Sequence, residues 1–504
     1  MQITRLLLCA FAVVAASATT VLGGEWRPRG IIPTHAVLGD VLAVAQRTSG
    51  DGDTTLARRH ERWTYLNGTQ RIAVTVAVRD DDYRTSLELD GLTYTAGRSG
   101  GDHWRGDGNG IVHGIGADLQ GDAADRAPQA VFRINWAACT LVGEAHLPAP
   151  AWVLQTHPES DKPVFLYVDE ATGEIVREVL RDGRGVVTTT FDRFEPLGKA
   201  LRARHWHIDD GDASDALDVT VESIEPGDVS TADVAFPARR VFAPSAPLET
   251  SVDLPASFNN GTVSVKVGID GAAPRWFLLD TGTTSITVSP ELARPYGSTK
   301  LKHAALPRVS VGQLTLDRVS TLTVPLGPQL GGILGFDFFF GHVIEVDYRH
   351  ERVRILSADD ANAVFSDPKT GIVAANVDQG LPLVHAGFGA AQSNAFAIDT
   401  GSPRLYVMRP FMKYFASEIA AHWTPSGAPF VERYLEGGIE LQPYRVAHFD
   451  IANTEWDDLI VGGQIPTNLT DDLAIPFDGI IGTDILRNFD LYFDYDNERM
   501  GLRQ

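Results

Sequence analysis

Asp280-Thr281-Gly282 recurs as Asp399-Thr400-Gly401, and the surroundings recur with it. The first copy is preceded by Phe277-Leu278-Leu279 and followed by Thr283; the second is preceded by Phe396-Ala397-Ile398 and followed by Ser402. Each Asp ends an apolar run and meets a Gly-marked turn flanked by hydroxyls. That pattern predicts two carboxylates at the ends of two buried strands. A lone Asp-Thr-Gly arises by chance in roughly one chain in ten of this length, and is ordinarily a turn at a strand end. Two copies in matching context need a common cause.

The cause is an internal repeat. Gly332-Ile333-Leu334-Gly335-Phe336-Asp337, Asp347-Tyr348 and Glu351-Arg352-Val353 return as Gly479-Ile480-Ile481-Gly482-Thr483-Asp484, Asp494-Tyr495 and Glu498-Arg499-Met500, each offset by 147 positions. The Asp-Thr-Gly pair is offset by 119, so the second copy carries 28 extra residues between its halves. Two copies make a pseudo-dimer rather than a solenoid.

Residues 254–504 therefore resemble an aspartic protease of the pepsin/retropepsin clan with both lobes on one chain. In that family each lobe supplies one Asp-Thr-Gly loop, and a later apolar-apolar-Gly segment passes beneath it. Here those segments are Ile333-Leu334-Gly335 and Ile480-Ile481-Gly482. The approach fits as well: Gly261–Gly271 reads as a hairpin feeding the strand that carries Asp280.

Two close carboxylates cannot both ionise cheaply, so Asp280 and Asp399 are expected to titrate as a unit with separated macroscopic values. One acts as base towards water and the other donates to the substrate carbonyl. Gly282 and Gly401 are expected to let the backbone turn without a Cβ clash. The resemblance further implies that Thr281 and Thr400 hydrogen-bond across the lobe interface beneath the dyad. It also implies that Thr283 and Ser402 bond the outer carboxylate oxygens and orient them. No metal or cofactor is required. Catalysis also needs a hairpin that closes over the substrate and excludes water. Between Ser285 and Leu334 only Ala304–Val324 is available, with Val309–Leu314 its clearest hairpin and no Tyr between Tyr296 and Tyr348. The second lobe departs too, with Pro403 where the first has Thr284.

Lysines and arginines number 43 against 65 acids, a formal charge of −22. That balance argues against nucleic acid and anionic membranes as electrostatic partners. Arg5 precedes the apolar run Leu6–Ala16, followed by Ala16-Ser17-Ala18. This reads as a signal peptide over 1–18, an uncleaved anchor being the alternative, and no later segment is long and apolar enough to span a membrane. The mature chain then holds only Cys139, so no intramolecular disulfide can form. Export to a periplasm or the exterior is expected.

Residues 25–242 form a separate region, followed by a proline-marked linker over 243–253 and lobes over 254–365 and 366–504. An early helix is expected at Ala36–Gln46 and another at Ala123–Trp136. Strands are expected at Arg71–Val78, Thr85–Thr95, Gly110–Gly116, Val164–Val168, Glu174–Val179, Gly185–Phe191 and Asp218–Ile224. Six of the nine Trp fall here, enough to fill a core of its own. The stretches Leu92–Gly108 and Leu166–Ile175 resemble bacterial lipoprotein-carrier (LolA-like) half-barrels, and such a domain would cup an apolar ligand.

Gly97-Arg98-Ser99-Gly100-Gly101 matches the Gly-x-Ser-x-Gly elbow, but the Gly- and Asp-rich run Asp102–Gly110 cannot start the required helix. His205 and His207 share a strand face, yet two ligands are too few for a metal. The expected fold is mostly β: a bilobal aspartic-protease-like module preceded by an α+β curved antiparallel sheet. The expected function is an exported aspartic endopeptidase acting on peptide or protein. The alternative is a peptide- or lipid-binding protein that uses the interlobe cleft or the N-terminal concavity without cleavage.

Overall fold

The computed structural model describes residues 27–49, 57–67, 70–89, 92–115, 134, 136–146, 149–156, 164–182, 185–209, 216–244, 247–297, 303–377, 380–434, 437–464 and 477–504. The fold is mostly β, as expected, and the chain divides into two compact units. The first comprises residues up to Asp107 and Gly114–Ala238; the second comprises Gly108–His113 and Arg239–Gln504. The expected signal peptide lies outside the described residues, as does nearly all of the expected helix Ala123–Trp136; at its end Trp136–Ala138 forms a short 3-10 turn.

The first unit is a curved antiparallel sheet of twelve strands. Strand Arg58–Asn67 pairs with Leu217–Pro226 and joins the two halves of the sheet, from which hairpins run outward in both directions. In Gln70–Arg79 the residues Ile72, Val74, Val76 and Val78 are at most 3% exposed while Arg71, Ala73 and Thr75 face out. This period-two pattern is what buries one face of a sheet. Trp63 packs edge-on against Trp206 at 5.1 Å. Helix Leu38–Ser49 turns Val41 and Ala45 inward, one helical turn apart, and its end is tied down by Thr48 Oγ1 donating to the Thr172 carbonyl at 3.1 Å.

Two local expectations are corrected. The single strand expected over Thr85–Thr95 is two strands, Asp82–Leu89 and Leu92–Ser99, paired antiparallel with Leu89 opposite Leu92. The dipeptide between them, Asp90-Gly91, is of the kind favoured in two-residue hairpin connections. The strand expected over Gly110–Gly116 is shorter, Val112–Ile115. The Gly-x-Ser-x-Gly match is strand, turn and strand, with Gly100 and Gly101 at positive φ and no helix after it. His205 and His207 are held by Asp192 and Asp218 at 2.8 and 2.9 Å.

In the second unit the sequence repeat becomes a topological repeat. In the first lobe Arg275–Leu279 pairs in parallel with Leu330–Leu334, and Thr287–Val288 lies against the latter. In the second lobe Ala391–Ile398 pairs in parallel with Gly479–Ile481, and Tyr406–Val407 takes the corresponding place. Between the lobes, Ile344–Asp347 and Asp490–Asp494 pair antiparallel. One apolar cluster runs through both lobes, with Phe277, Phe336, Phe396, Phe449 and Phe493 all fully buried. The stretch read as a linker is not slack: Ala243–Pro244 and Val252–Leu254 are short strands paired within this unit.

Segment Gly108–His113 completes the first lobe although it lies far upstream in sequence. Ile111 is fully buried in the apolar cluster. Asn109 Oδ1 accepts from Ser320 N–H at 2.6 Å, while its Nδ2 donates to the Ser320 carbonyl at 3.2 Å and to Asp337 Oδ2 at 2.6 Å. One amide thus serves a strand backbone and a buried carboxyl together. Asn109→Ala is expected to lower the unfolding free energy by about 2–4 kcal/mol, since buried polar groups lose a partner. The check is the urea midpoint of the full chain, and an unchanged midpoint would remove this role.

Candidate active site

The geometry of the two Asp-Thr-Gly loops is set by the segments that flank them. Each Asp is the first residue past a buried strand, and each is pinned to the segment beneath it. Asp280 N–H donates to the Leu334 carbonyl at 3.0 Å, and Asp399 N–H to the Ile481 carbonyl at 3.1 Å. The loops then turn back over the glycines next in line: Phe336 N–H reaches the Thr283 carbonyl and Thr483 N–H the Ser402 carbonyl, both at 2.8 Å. A Cβ at Gly335 would overlap the Thr283 and Ser285 carbonyls, and one at Gly482 the backbone of Arg404. This close approach accounts for the Gly of both apolar-apolar-Gly segments.

The structure brings all eight residues singled out in the sequence to one place. Thr281 Oγ1 donates to the Ile398 carbonyl at 2.7 Å and accepts from Thr400 N–H at 3.1 Å. Thr400 Oγ1 donates to the Leu279 carbonyl at 2.8 Å and accepts from Thr281 N–H at 3.1 Å. These crossed bonds lock the lobes together, and the two threonines are 0% and 1% exposed.

Above them the carboxyls of Asp280 and Asp399 lie within hydrogen-bond reach of each other and are 9% and 8% exposed. Gly282 N–H donates to Asp280 Oδ1 at 2.9 Å and Gly401 N–H to Asp399 Oδ1 at 2.8 Å. Burial pushes the Asp280 carboxyl up against the hydrogen bonds from Thr283 and Gly282, which favour its charged form. Burial first, and then the charge of Asp280, push Asp399 well above the ordinary carboxylate range. The pair therefore favours holding one proton between two oxygens.

Three expectations change in detail. Thr283 Oγ1 donates to Asp280 Oδ2 at 2.8 Å, as the resemblance implied. Ser402 differs: it serves Asp399 through its backbone N–H at 3.0 Å, while its hydroxyl turns to the Arg404 carbonyl at 3.3 Å. Pro403 stands where the first lobe has Thr284, and the backbone hydrogen bonds of the two loops match. Gly282 and Gly401 are not at positive φ. They are glycines because a Cβ on either would overlap the carboxylate of the opposite lobe.

The third change concerns the cover. The hairpin His303–Val311/Leu314–Thr323, the candidate in the first lobe, is built into the lobe wall, pairing with Thr262–Ile269 on one side and Thr287–Val288 on the other. The second lobe has the matching wall hairpin in the later part of Gly437–Ile451 with Thr454–Gln464. It then adds a further hairpin, Phe430–Tyr434 with the start of Gly437–Ile451, whose outer strand has no other strand partner among the described residues. This element lies among the extra residues of the second copy, outside the stretch of the first lobe in which a cover was sought.

Two tyrosines neighbour the site without belonging to either Asp-Thr-Gly motif. Tyr495 is fully buried, and burial and then the charges of Asp280 and Asp399 push its phenol up. Its repeat mate Tyr348 is pushed up by burial and by Asp399. Their recurrence after Asp347 and Asp494 is the one sign of them in the sequence. Among the described residues, no group of three or more His, Cys, Asp and Glu is placed to hold a metal ion, and no helix is long and apolar enough to cross a membrane.

No family model matches the chain, and no curated protein matches it. Solved structures similar to part of it include a putative outer membrane lipoprotein-sorting protein domain from Vibrio parahaemolyticus, at 12% identity and TM-score 0.30, covering 38% of this chain and 93% of that one. A LolA superfamily protein from Nitrosomonas europaea is similar at 12% identity and TM-score 0.31, covering 40% and 98%. A DUF1329 family protein from Desulfovibrio piger is similar at 12% identity and TM-score 0.31, covering 39% and 97%. Likeness at this level leaves the chemistry of both units to be argued from their own residues.

Thr400→Val removes one hydroxyl and leaves Thr281 N–H and the Leu279 carbonyl buried without their partner, so a loss of about 2–5 kcal/mol is expected. Thr400→Ser keeps both bonds and should lose far less. Denaturant unfolding of the two variants checks the difference. A second expectation concerns pH. An acid raised in the folded state favours folding while protonated and loses that contribution as pH climbs through its folded value. Asp399→Asn, neutral throughout, should match the wild-type melting temperature near the ordinary carboxylate value of about 4 and exceed it progressively above. Melting curves across pH would refute this by staying parallel.

Proposed function

We propose that the second unit is an aspartic endopeptidase that hydrolyses peptide bonds with the Asp280/Asp399 dyad. The observation that carries the reading is a pair of buried carboxyls in mutual hydrogen-bond reach, held from below by the crossed Thr281/Thr400 bonds. With one proton on the pair, the ionised carboxylate takes a proton from water as its oxygen attacks the amide carbon. The protonated partner donates to the carbonyl oxygen. In the collapse of the resulting gem-diol the protonated carboxyl gives its proton to the leaving amine nitrogen as the C–N bond breaks, while the ionised carboxylate takes a proton from a gem-diol hydroxyl, so the dyad stays singly protonated throughout. Thr283, Gly282, Gly401 and Ser402 orient the oxygens for this sequence, and Thr281 and Thr400 position the loops without touching substrate. The leader at the start of the sequence supports export to a periplasm or the exterior.

A second reading, binding of an apolar ligand without cleavage, concerns the first unit. It rests on the curved sheet of that unit and on a small cleft beside the end of helix Leu38–Ser49, lined by Ile175, Phe191, Phe194, Leu201 and Ala203.

The test is cleavage of fluorogenic peptides by the full chain from acid to neutral pH. Activity should peak on the acid side, because only the singly protonated pair acts as base and acid together. It should fall at least about a thousandfold in Asp280→Asn and in Asp399→Asn, in line with the loss of an essential acid–base group. A statine-type peptide inhibitor should block it. Hydrolysis that survives either substitution would assign the chemistry elsewhere. Absence of hydrolysis alongside saturable peptide binding would leave a binding protein.

A further inference from the structure

Beyond the dyad, the side chain best placed to choose among substrates is Arg404, five residues past Asp399. Its backbone is fastened on two sides. Its carbonyl accepts from Ser402 Oγ at 3.3 Å, and the next residue, Leu405, donates its N–H to Asp484 Oδ2 at 3.0 Å. It also lies against Gly482, directly after Ile481, whose carbonyl receives the Asp399 N–H. The guanidinium is therefore anchored to the same short stretch of structure that fixes the catalytic carboxylate.

Its head meets the added hairpin of the second lobe. Arg404 Cζ stands 5.1 Å over the Phe430 ring, and Nε lies 3.8 Å from Glu432 Oε2. The ring in turn packs on the cluster of Tyr406, Met408, Ile439, Leu441 and Ile480. At 3.8 Å the contact with Glu432 is an ion pair without a hydrogen bond. The Arg404 side chain is 59% exposed, whereas Glu432 is 18% exposed. An arginine head set over an aromatic ring can still offer its N–H donors to an oxyanion. Burial pushes the Glu432 carboxyl up and Arg404 opposes that shift.

The first lobe has no cation at the matching position. Five residues past Asp280 stands Ser285, whose carbonyl meets Gly335 just as the Arg404 backbone meets Gly482. The two positions are equivalent in the repeat, so the pair presents a cation on one side only, in a chain whose formal charge is −22.

We propose that Arg404 is a specificity-determining residue whose guanidinium takes the carboxylate of an Asp or Glu side chain of the substrate, on the second-lobe side of the scissile bond. The proposal rests on the peptidase reading above and names the substrate class of that site. Glu432 occupies the guanidinium between turnovers and yields it to the substrate acid. The chain's overall negative charge repels acidic peptides at long range, so the preference shows between matched peptides at one ionic strength and not in association at low salt.

The experiment uses the full chain and peptide pairs that differ only by Glu or Gln, with the variable residue moved through the positions flanking the cleaved bond. At one position kcat/KM should favour Glu by about tenfold, mostly through KM, as expected for one added charge-assisted contact. Arg404→Gln should bring the ratio to near one. Arg404→Lys should keep part of the preference, which also guards against a folding defect, and Glu432→Gln should strengthen it. A preference that persists in Arg404→Gln, or none at any position, overturns the proposal. Fluorescence anisotropy of the same pairs on Asp280→Asn reads the subsite without cleavage. Acid-selective binding lost in the Asp280→Asn/Arg404→Gln double variant, with no hydrolysis by the wild type, would overturn the peptidase reading and keep the Arg404 subsite. Hydrolysis with no acid preference would do the reverse.

Discussion

Two threonine hydroxyls join the two lobes of the second unit beneath the paired carboxyls. Thr281 and Thr400 each accept from the other's backbone N–H and donate to a carbonyl of the opposite lobe. The geometry needs a donor and an acceptor on one atom, short reach, and a methyl that can be buried, and threonine combines all three. Bringing two carboxyls together in a buried site is unfavourable, both through desolvation and through mutual repulsion. The crossed bonds, and the apolar cluster that continues through both lobes, offset that cost. The lobes converge so closely there that Gly282 and Gly401 have no room for a Cβ. The dyad, its raised proton affinity and its glycines are thus consequences of one interlobe contact.

The repeat is strict where that contact requires it and relaxed elsewhere. Asp337 and Asp484 are repeat mates, yet Asp484 receives the Leu405 N–H of its own dyad loop whereas Asp337 receives the Asn109 amide. Thr283 reaches its carboxylate with a hydroxyl, and Ser402 does so with a backbone N–H. Ser285 faces Arg404 across the pseudo-symmetry. Among the described residues, only the second lobe extends a hairpin beyond its wall. Each difference lies one step outward from the threonines, where the pseudo-twofold no longer has to be kept.

Legibility in the sequence declines along the same gradient. The pair of Asp loops is readable because its signal is local and written twice, whereas the threonine pairing follows only from the family resemblance. The strands of Gln70–Arg79 and Leu217–Pro226 are readable because one face is buried and the alternation is clean. The hairpin at Asp82–Ser99 is obscured because its apolar pattern continues across Asp90-Gly91. The role of the Ser402 hydroxyl is hidden because its loop keeps the backbone bonds of the first and differs only in where the side chain turns. Asn109 gives no sign at all. Its partners Ser320 and Asp337 are more than two hundred residues away, and an Asn in a Gly-rich loop does not announce a buried role. The second-lobe hairpin is present in the sequence as extra length, and length alone does not say what it builds.

On the peptidase reading proposed above, the asymmetries also bear on how a symmetric dyad would act on an asymmetric substrate. A peptide has direction, and two equivalent carboxyls do not distinguish its ends. Discrimination must come from groups that differ between the lobes but are rigidly referred to the dyad. Arg404 meets both conditions: its backbone is fixed on the segment beneath Asp399, and its repeat mate is a serine. Tyr348 and Tyr495 do not meet them, because they are the same residue in both copies and pack among aromatic rings. On that reading the route from a duplicated loop to a directional catalyst runs through the residues that the repeat does not preserve: the repeated core would supply the proton chemistry, and the divergent rim the orientation in which a chain is presented to it.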